Sequence, residues 1–341
     1  AETTTMASHA DVCVLLPALN EAATITDVIT SYQAAGFTEI LVIDGGSSDG
    51  TRELAEEAGA TVITQTGSGK GQAVRQAVGY IDAPYVLMVD ADMTYRAADA
   101  EAMLEPLLDG EADHVIGNRF ADMEAGAMTT LNKIGNRFFN GIFQTIYGAN
   151  YVDILSGYRA FTTESFERLT LTADGFGIET EMAIQCAKHE IDTTVVPITY
   201  RPRPDGSATN LHPIKDGSII LLELYRNAKT NNPLFYFGSV GLGSTVVGVA
   251  MLVFVIWRWL TVDISHQLIA IGGVAMLLLG VQLLIFGFLA DMIQSLHREQ
   301  RDRIDRLDSS LTDDRSASTT DRREPTPTDG EADQPVAKSD R

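Results

Sequence analysis

The chain has 341 residues, a formal net charge of −21 at pH 7, and only six lysines among its 25 basic residues. So acidic a chain argues against a nucleic-acid partner, because phosphate backbones require a basic surface. The same balance favours a halophilic source, where concentrated salt screens the repulsion between carboxylates; an ordinary acidic protein is the alternative.

Two local features bear on the cell compartment. Both cysteines, Cys13 and Cys186, lie in apolar sequence, "DVCVLLP" and "AIQCAKH", which favours buried thiols over a disulfide or a metal site. The opening "AETTTMASHADVC" has neither the basic region nor the apolar stretch of a secretory signal. We therefore expect residues 1–10 to be disordered and a catalytic part, if the chain has one, to stay in the cytoplasm.

Residues 11–200 alternate short apolar runs with helix-like segments. Five runs rich in Val, Ile and Leu predict strands: 11–18, 39–46, 60–65, 84–92 and 114–120. The stretches 49–58 and 70–81 between them have helical character. Continuous apolar strands with helical crossovers predict a parallel sheet, an α/β fold that we assign to residues 11–210. Ligands bind outside the carboxyl ends of the strands in such sheets.

Asp90 and Asp92 end the run "PYVLMVDAD", with only Ala91 between them. Positions i and i+2 of a strand share one face, so the two carboxylates repel unless a cation lies between them. A hard dication with oxygen ligands suits this place, since Mg²⁺ commonly joins carboxylates to a substrate diphosphate. A solvated turn after a strand is the alternative for the tripeptide alone.

Two further strand ends carry polar residues. Asp44 ends "EILVID", two glycines follow it, and Asp49 stands where the next helix starts. In "LLPALNE", Pro17 is expected to break the strand and Asn20 and Glu21 to open a helix. Each pattern alone is an ordinary turn and cap. Three in succession at one edge of a sheet favour a ligand site.

The glycine-rich "GSGKG" (residues 67–71) does not have the spacing of a phosphate loop. A P-loop requires Gly-Lys followed by Ser or Thr, with an earlier glycine at a fixed distance. Here Gly71 follows Lys70, and Thr64 occupies the earlier place. The dinucleotide-binding fingerprint fails as well. A loop that brings one cation, Lys70, near a nucleotide remains open.

Two segments, 234–257 and 267–290, contain no charged residue. Each could span roughly 36 Å as a helix, enough for a hydrocarbon core of about 30 Å. Buried core helices are the alternative, which these lengths disfavour. The connector 258–266 is too short for a domain and contains one basic residue, whereas several flank the outer ends: Arg226, Lys229, Arg298, Arg301 and Arg303. The positive-inside rule therefore places both ends of this hairpin (residues 233–291) in the cytoplasm.

The regions beside the hairpin have amphipathic or polar sequences. Residues 211–232 predict an amphipathic helix next to the membrane. In residues 131–146, apolar side chains recur at helical spacing, which predicts either an interfacial helix or a helix covering the sheet. From residue 297 the chain carries 12 acidic and nine basic residues. We expect residues 292–341 to form a mostly disordered cytoplasmic tail, with a short helix continuing out of the hairpin.

Six motifs follow one another along the chain: "PALNE", "DGGSSDGT", "GSGKG", "DAD", "GNRF" and "DILSGYRAF". In this order and spacing they resemble the family 2 glycosyltransferases, and more narrowly the dolichyl-phosphate hexose synthases, over roughly residues 11–203. The segments "SGYRAFTTESFER", "GFGIETE", "VVPITYRPRP" and "KTNNPLFYFGSVG" support the narrower likeness. The resemblance implies a GT-A fold, a Rossmann-like nucleotide-sugar-binding domain, which here precedes the transmembrane hairpin.

The resemblance also implies a donor site. The nucleotide sugar would be bound by Pro17, Asn20, Glu21, Asp44, Lys70, Asp90, Ala91 and Asp92. Asp90 and Asp92 would hold Mg²⁺ or Mn²⁺ against the diphosphate, as the pair itself suggests. Mannose-type relatives often have a glutamine as a further ligand where this chain has Thr94, which leaves the third ligand open, water being one candidate. UDP-glucose is the donor that the likeness favours, and GDP-mannose is the alternative.

The acceptor of such enzymes is a lipid phosphate, which arginine suits because its planar fork binds two oxygens. The candidates for the acceptor phosphate are Arg119, Lys133, Arg137, Ser156, Arg159, Arg201 and Arg203. Arg119 and Arg203 are preferred because they follow predicted strands, and with Asp92 they are assigned catalytic roles. A surface ion pair is the alternative for each arginine.

The resulting hypothesis is inverting, metal-dependent transfer of a hexose, glucose in first place, to dolichyl phosphate at the cytoplasmic face of the cell membrane. In the resembling enzymes this step begins lipid-linked glycan assembly for protein N-glycosylation, including that of S-layer glycoproteins. A phosphate oxygen is already ionised at neutral pH, so the sequence can lack a catalytic histidine. Transfer to another lipid or polysaccharide, and a membrane-tethered nucleotide-sugar sensor without turnover, are the alternatives. The hairpin could also pair between copies.

Overall fold

The computed structural model describes residues 9–204, 213–264 and 266–320. The strands are β1 (Val12–Ala18), β2 (Glu39–Asp44), β3 (Thr61–Thr64), β4 (Tyr85–Met88), β5 (His114–Met123), β6 (Arg159–Thr162) and β7 (Thr193–Tyr200). The helices are α1 (Ile25–Ala34), α2 (Thr51–Glu57), α3 (Lys70–Val78), α4 (Ala100–Leu108), α5 (Thr130–Tyr147), α6 (Thr163–Glu167), α7 (Ile178–Lys188), α8 (Pro213–Asn231), α9 (Pro233–Val262) and α10 (Gln267–Thr320).

The seven strands form one sheet in the order β3-β2-β1-β4-β6-β5-β7. All neighbours are parallel except β6, which runs antiparallel to both β4 and β5. The predicted α/β fold is confirmed, but the prediction of a wholly parallel sheet is wrong at β6. Arg159, the first residue of β6, pairs with Met88, the last residue of β4. The segment after α5 therefore stays at the edge where β4 ends, and β6 starts from that edge.

Both faces of the sheet are covered, as the continuous apolar runs predict. Alternate residues of β1 point to opposite sides: Val12, Val14 and Leu16 join a core with α1 and α4. Cys13 and Leu15 join a second core with α3 and α7. Both cysteines are buried and free, as predicted.

Pro17 does not break β1, contrary to the prediction, because the strand continues to Ala18. Pairing of β1 with β4 ends at Leu15, whose carbonyl still accepts from the Val89 N–H. Pro17 is two residues on, so its nitrogen points to this same side, where no ladder hydrogen bond is lost.

The C-terminal helices α9 and α10 pack along each other. The most apolar 18-residue windows of α9 and of the first 27 residues of α10 have mean hydropathies of 2.2 and 2.5, and both helices are long and apolar enough to cross a membrane. Glycines bring the two backbones close: a Cβ on Gly241 or Gly248 would lie 2.8 or 2.7 Å from the carbonyl oxygen of Gly280 or Gly273. Small residues at such contacts are typical of membrane helix pairs.

The described residues include only part of each terminal region that was expected to be disordered. α10 continues to Thr320, so the expected disordered tail does not begin at residue 292. The sequence just after the apolar part is rich in Gln, Glu and Arg, which have good helix propensity. Residues 321–341 lie outside the described residues, as do residues 1–8; residues 9–11 form a short 3-10 turn.

Candidate active site

The turns after β1 and β2 are joined by hydrogen bonds at the carboxyl edge of the sheet. The Asn20 N–H donates to the Ser47 hydroxyl at 2.9 Å, and the Ser48 N–H donates back to the Asn20 side chain at 3.0 Å. The Glu21 N–H donates to Thr51 Oγ1 at 2.8 Å. "PALNE" and "DGGSSDGT" therefore form one unit, although α1 begins only at Ile25 and not at Asn20 as predicted.

Asp44 is buried at the end of β2, as predicted. Its carboxylate accepts from the N–H groups of Gly46 and Ser47 at 3.1 and 3.2 Å. Pro17 pairs with Ile43 one residue before it. The structure thus brings Pro17, Asn20 and Asp44 to one edge, with Asp44 holding its own turn.

Asp90 and Asp92 lie in a turn, because β4 ends at Met88. The argument that they share one face of a strand therefore fails, yet both remain at the carboxyl edge of β4. The carbonyl of Ala91 accepts from Thr24 Oγ1 at 2.7 Å, which ties this turn to the start of α1.

Asp92 is buried and held from both sides. Thr94 donates to its Oδ1 from the hydroxyl at 2.5 Å and from the N–H at 3.1 Å. Arg203 Nη2 lies 2.5 Å from Oδ2, while Nη1 is 3.4 Å from Glu21. Burial and the neighbouring Asp90 raise the pKa of Asp92 above its ordinary value. Thr94 therefore orients Asp92, and Arg203 joins it to Glu21.

Asp90 lies beside Lys70, whose ammonium contacts its Oδ1 and is 2.5 Å from Glu179 Oε1. Burial is the largest single influence and raises the pKa of Asp90, but the charge and hydrogen bond of Lys70, with the charges of Arg203 and Arg119, together lower it below its ordinary value. For Lys70, burial has the opposite effect and lowers the pKa, because it disfavours the charged ammonium. The attraction of Asp90 and Glu179 outweighs burial and raises the pKa well above its ordinary value. On its other side, the Asp90 carboxylate packs on Gly157, where a Cβ would overlap it.

Gly157→Ala is expected to displace the Asp90 carboxylate and lower transfer about 10²-fold, because misplacing a site group by about 1 Å can cost this much. Unfolding temperature should change little, since the clash is with the end of one side chain. Gly141→Ala on α5 is the matched control, because a Cβ there meets nothing within 4 Å. The rate of labelled sugar transfer at saturating substrate checks both. Full activity of Gly157→Ala would show that the Asp90 position is not required.

The "GSGKG" glycines serve packing rather than phosphate binding. A Cβ on Gly69 or Gly71 would overlap the backbone of Asp174 or Ala173. The Gly71 N–H at the start of α3 already donates to the Asp174 carbonyl at 2.8 Å. The P-loop reading is thus excluded by geometry as well as by spacing, and the loop sets the position of Lys70.

Arg119 is buried within β5 and paired with Asp153, which the sequence reasoning did not identify. Its Nε and Nη2 donate to the two Asp153 oxygens at 2.8 and 2.7 Å. Nη2 is also 3.3 Å from Asn136 Oδ1 on α5, and the guanidinium lies over the Tyr200 ring. Arg119 lies within β5 rather than after it, but its positive charge lowers the pKa of Asp90.

Arg159 does not belong to the cluster, and its assignment to the acceptor phosphate is withdrawn. It is fully buried, and its guanidinium donates to the carbonyls of Ser156, Ile154 and Glu179 at 2.8–3.1 Å. The remaining guanidinium nitrogen, Nη1, lies 3.1 Å from His114 Nε2. The side chain fastens the "DILSGYRAF" segment to the start of α7. Ser156 is also buried, and its hydroxyl has no hydrogen-bond partner in the part of the chain that the structure describes.

The remaining predicted cations lie at the rim. Arg201 is 3.4 Å from Glu124, and its N–H donates to the Thr94 carbonyl at 2.9 Å. Lys133 and Arg137 flank Asn136 on α5; within the described ranges neither forms an ion pair. α5 thus carries two open cations next to the residue that contacts Arg119.

The carboxylates at this edge fit a hard dication. Among the described residues, no three or more His, Cys, Asp or Glu side chains are placed so that they could hold a metal ion together, so a dication here would have Asp90 and Asp92 as its protein ligands. With Glu21 and Glu179, and the cations Lys70 and Arg203, the site holds four carboxylates and two cations. It therefore has an excess of two negative charges, which a dication would balance. Remaining ligands would come from water and a diphosphate, as Mg²⁺ commonly uses.

Four contributors to the site were missed by the sequence reasoning: Thr94 as an Asp92 partner, Asp153, Gly157 and Glu179. Asp153 and Gly157 stand in the quoted "DILSGYRAF", and Glu179 in "GFGIETE", so the motifs were noticed without their roles. No local pattern indicates that Glu179, 89 residues after Asp90, shares a lysine with it.

Comparisons with known proteins agree on one family. The profile described as glycosyl transferase family 2 matches residues 13–170. The chain is 64% identical over 298 residues, 87% of its length, to the glycosyltransferase AglJ of Haloferax volcanii, of which it covers 98%. It is 33% identical to a dolichyl-phosphate hexose transferase of the same organism, with 62% of this chain and 90% of that one aligned. Glucosyl-3-phosphoglycerate synthase of Mycobacterium tuberculosis, solved with Mn²⁺, UDP and phosphoglyceric acid, has a similar fold (TM-score 0.53, 22% identity, 64% of this chain and 78% of that one).

Proposed function

The chain belongs to glycosyl transferase family 2 and is a glycosyltransferase, and from this premise we propose that it transfers a hexose from a nucleotide sugar to dolichyl phosphate. The proposed donor is UDP-glucose, with Mg²⁺ or Mn²⁺ held by Asp90 and Asp92, and the product is the first intermediate of lipid-linked glycan assembly for protein N-glycosylation. The 33% identity to a dolichyl-phosphate hexose transferase supports the acceptor. The nucleotide-sugar complex of the mycobacterial fold relative, with Mn²⁺ and UDP-glucose, supports the donor class.

One observation carries the proposal: Asp90 and Asp92 lie at one sheet edge within a group of four carboxylates and two cations, which has an excess of negative charge. Lys70 contacts Asp90 and Arg203 contacts Asp92, and the charge of the buried Arg119 lowers the pKa of Asp90. A bound dication would neutralise charge that develops on the departing diphosphate. Each cation lies between two carboxylates: Lys70 between Asp90 and Glu179, and Arg203 between Asp92 and Glu21. This arrangement suits the binding of a dication together with an anionic diphosphate.

The chain's own residues then act by position and charge. Asp92 is oriented by Thr94, and Arg203 links it to Glu21. On the acceptor side, the Arg119 guanidinium and the open cations of α5, Lys133 and Arg137, attract the lipid phosphate. Its ionised oxygen attacks the anomeric carbon from the side opposite the diphosphate, which inverts the configuration. No proton has to be removed, so positioning and electrostatics supply most of the acceleration.

The enzyme is proposed to work at the cytoplasmic face of the cell membrane. On α5, Leu131, Ile134 and Phe138 are 65%, 61% and 55% exposed, which suits contact with lipid. The other half of α5 packs with α8, which leads into α9. The exposed half supports the interfacial helix, whereas the packed half lies against α7 and α8 in a cluster without strand residues, so it does not match the predicted helix covering the sheet. The basic residues at the outer ends of the hairpin support cytoplasmic termini.

Incubating the protein in detergent with dolichyl phosphate and labelled UDP-glucose or GDP-mannose tests the proposal. We expect label from UDP-glucose in a polyprenyl phosphate, lost with EDTA and regained with Mn²⁺. Label transferred from GDP-mannose would contradict UDP-glucose as the donor. Label found in another lipid or in a polysaccharide would contradict dolichyl phosphate as the acceptor. Binding of the nucleotide sugar without any product would contradict the proposed transfer to dolichyl phosphate and favour a nucleotide-sugar sensor.

A further inference from the structure

Lys70 is held between two carboxylates. Its ammonium contacts Asp90 Oδ1 and lies 2.5 Å from Glu179 Oε1, and its side chain is only 13% exposed. The glycines on either side of it pack on the backbone of residues 173–174, which fixes its main chain. Only the ammonium end of Lys70 is therefore free to change partner.

The two partners of Lys70 differ in what they can do next. Asp90 is one of the proposed metal ligands, so a dication and the Lys70 ammonium would compete for the same carboxylate. Glu179 lies at the start of α7, is buried, and also has its backbone carbonyl bonded to Arg159. It is thus a fixed anchor, whereas Asp90 is shared.

We infer that Glu179 is a positioning residue that tethers Lys70 beside Asp90, so that Lys70 competes with the metal in the empty site and contacts the donor diphosphate in the loaded one. The inference rests on the proposed function. Released from Asp90, the ammonium stays within a few ångströms of the site, where diphosphate oxygens add negative charge. Metal and nucleotide should therefore favour each other's binding more than in a site without this lysine.

The test measures binding, not turnover. Mn²⁺ binding without nucleotide is followed by the loss of the free Mn²⁺ spin-resonance signal, and UDP binding by calorimetry at saturating Mn²⁺. Lys70→Met is expected to tighten Mn²⁺ alone about tenfold, because it removes a unit positive charge a few ångströms from a dication. The same variant should weaken UDP about tenfold or more, since a charge-assisted contact to phosphate is lost.

Glu179→Gln separates a tether from a general charge effect. Loss of one negative charge alone would strengthen UDP binding, because UDP is an anion. If Glu179 acts by holding Lys70, UDP binding should instead weaken several-fold. Lys188→Met, at the other end of α7, and the exposed Glu164→Gln are matched controls that should change neither affinity.

Several outcomes would overturn the inference. Unchanged or weaker Mn²⁺ binding by folded Lys70→Met would show that Lys70 does not compete with the metal. Unchanged or tighter UDP binding by Glu179→Gln would show that Glu179 does not act by holding Lys70. If Lys70→Met does not fold, Lys70→Gln makes the same charge change with a side chain that can still hydrogen-bond both carboxylates. Labelled product from the wild type together with unshifted affinities would reject this inference alone. No Mn²⁺ binding by the wild type would reject the proposed metal site itself.

Discussion

Asp92→Asn is expected to lower the rate of hexose transfer by about 10²–10³, the loss typical when one group that stabilises transition-state charge is removed. The substitution keeps the volume of Asp92 and the acceptor for the Thr94 hydroxyl. Arg203 loses its ion pair with the Asp92 carboxylate but keeps its contact with Glu21. The measurement is the single-turnover rate with labelled donor at saturating Mn²⁺.

Stability should not fall in this variant. Burial and Asp90 raise the Asp92 pKa in the folded protein, so ionised Asp92 costs folding free energy at neutral pH. That cost is relieved as the pH falls through the folded-state pKa, and asparagine removes it at every pH. We expect an unfolding temperature within a few degrees of the wild type. Wild-type transfer by Asp92→Asn would reject the metal assignment, and an unfolded variant would reject the electrostatic account of Asp92.

Removing Asp153 alone is expected to cost about 3–5 kcal/mol of unfolding free energy, because Arg119 would be left as a buried charge without its partner. Asp153→Leu tests this by denaturant unfolding in detergent. The double variant Arg119→Met/Asp153→Leu removes both charges and should recover most of the loss, since a buried ion pair can be replaced by apolar side chains at little cost.

The double variant also separates structure from catalysis at Arg119. If Arg119 attracts the acceptor phosphate, the refolded double variant should remain at least about 10²-fold slower, with a raised KM for the polyprenyl phosphate. Arg96→Met is the control, because this half-buried arginine contacts Thr199 at 3.3 Å and forms no ion pair with Asp153. A stable double variant with normal transfer would make the Arg119–Asp153 pair purely structural.

How far the site could be predicted depended on whether its residues lie at strand ends. Asp44 and Asp90 follow apolar runs whose carboxyl ends must share an edge, so the pattern alone places them together. Glu179 and Asp153 reach the same edge only through tertiary packing, from the start of α7 and from the segment before β6. β6 itself was missed as an antiparallel strand because a four-residue strand carries no information on its direction.

Charged residues gave the least certain predictions, because spacing does not reveal burial. Arg119 and Arg159 look alike in sequence, each beside an apolar run. In the structure Arg159 is enclosed by backbone carbonyls, while Arg119 faces Asp153 and influences Asp90. Only the fold distinguishes Arg159, whose guanidinium is used up by backbone carbonyls, from Arg119, whose charge acts on the carboxylates of the candidate site.

A crystal grown with Mn²⁺ and UDP tests the central claim most directly, by anomalous scattering at the manganese edge. We predict one strong peak at roughly 2.0–2.2 Å from carboxylate oxygens of Asp90 and Asp92, in contact with the diphosphate. No peak at that position, or a diphosphate bound away from it, would contradict the account.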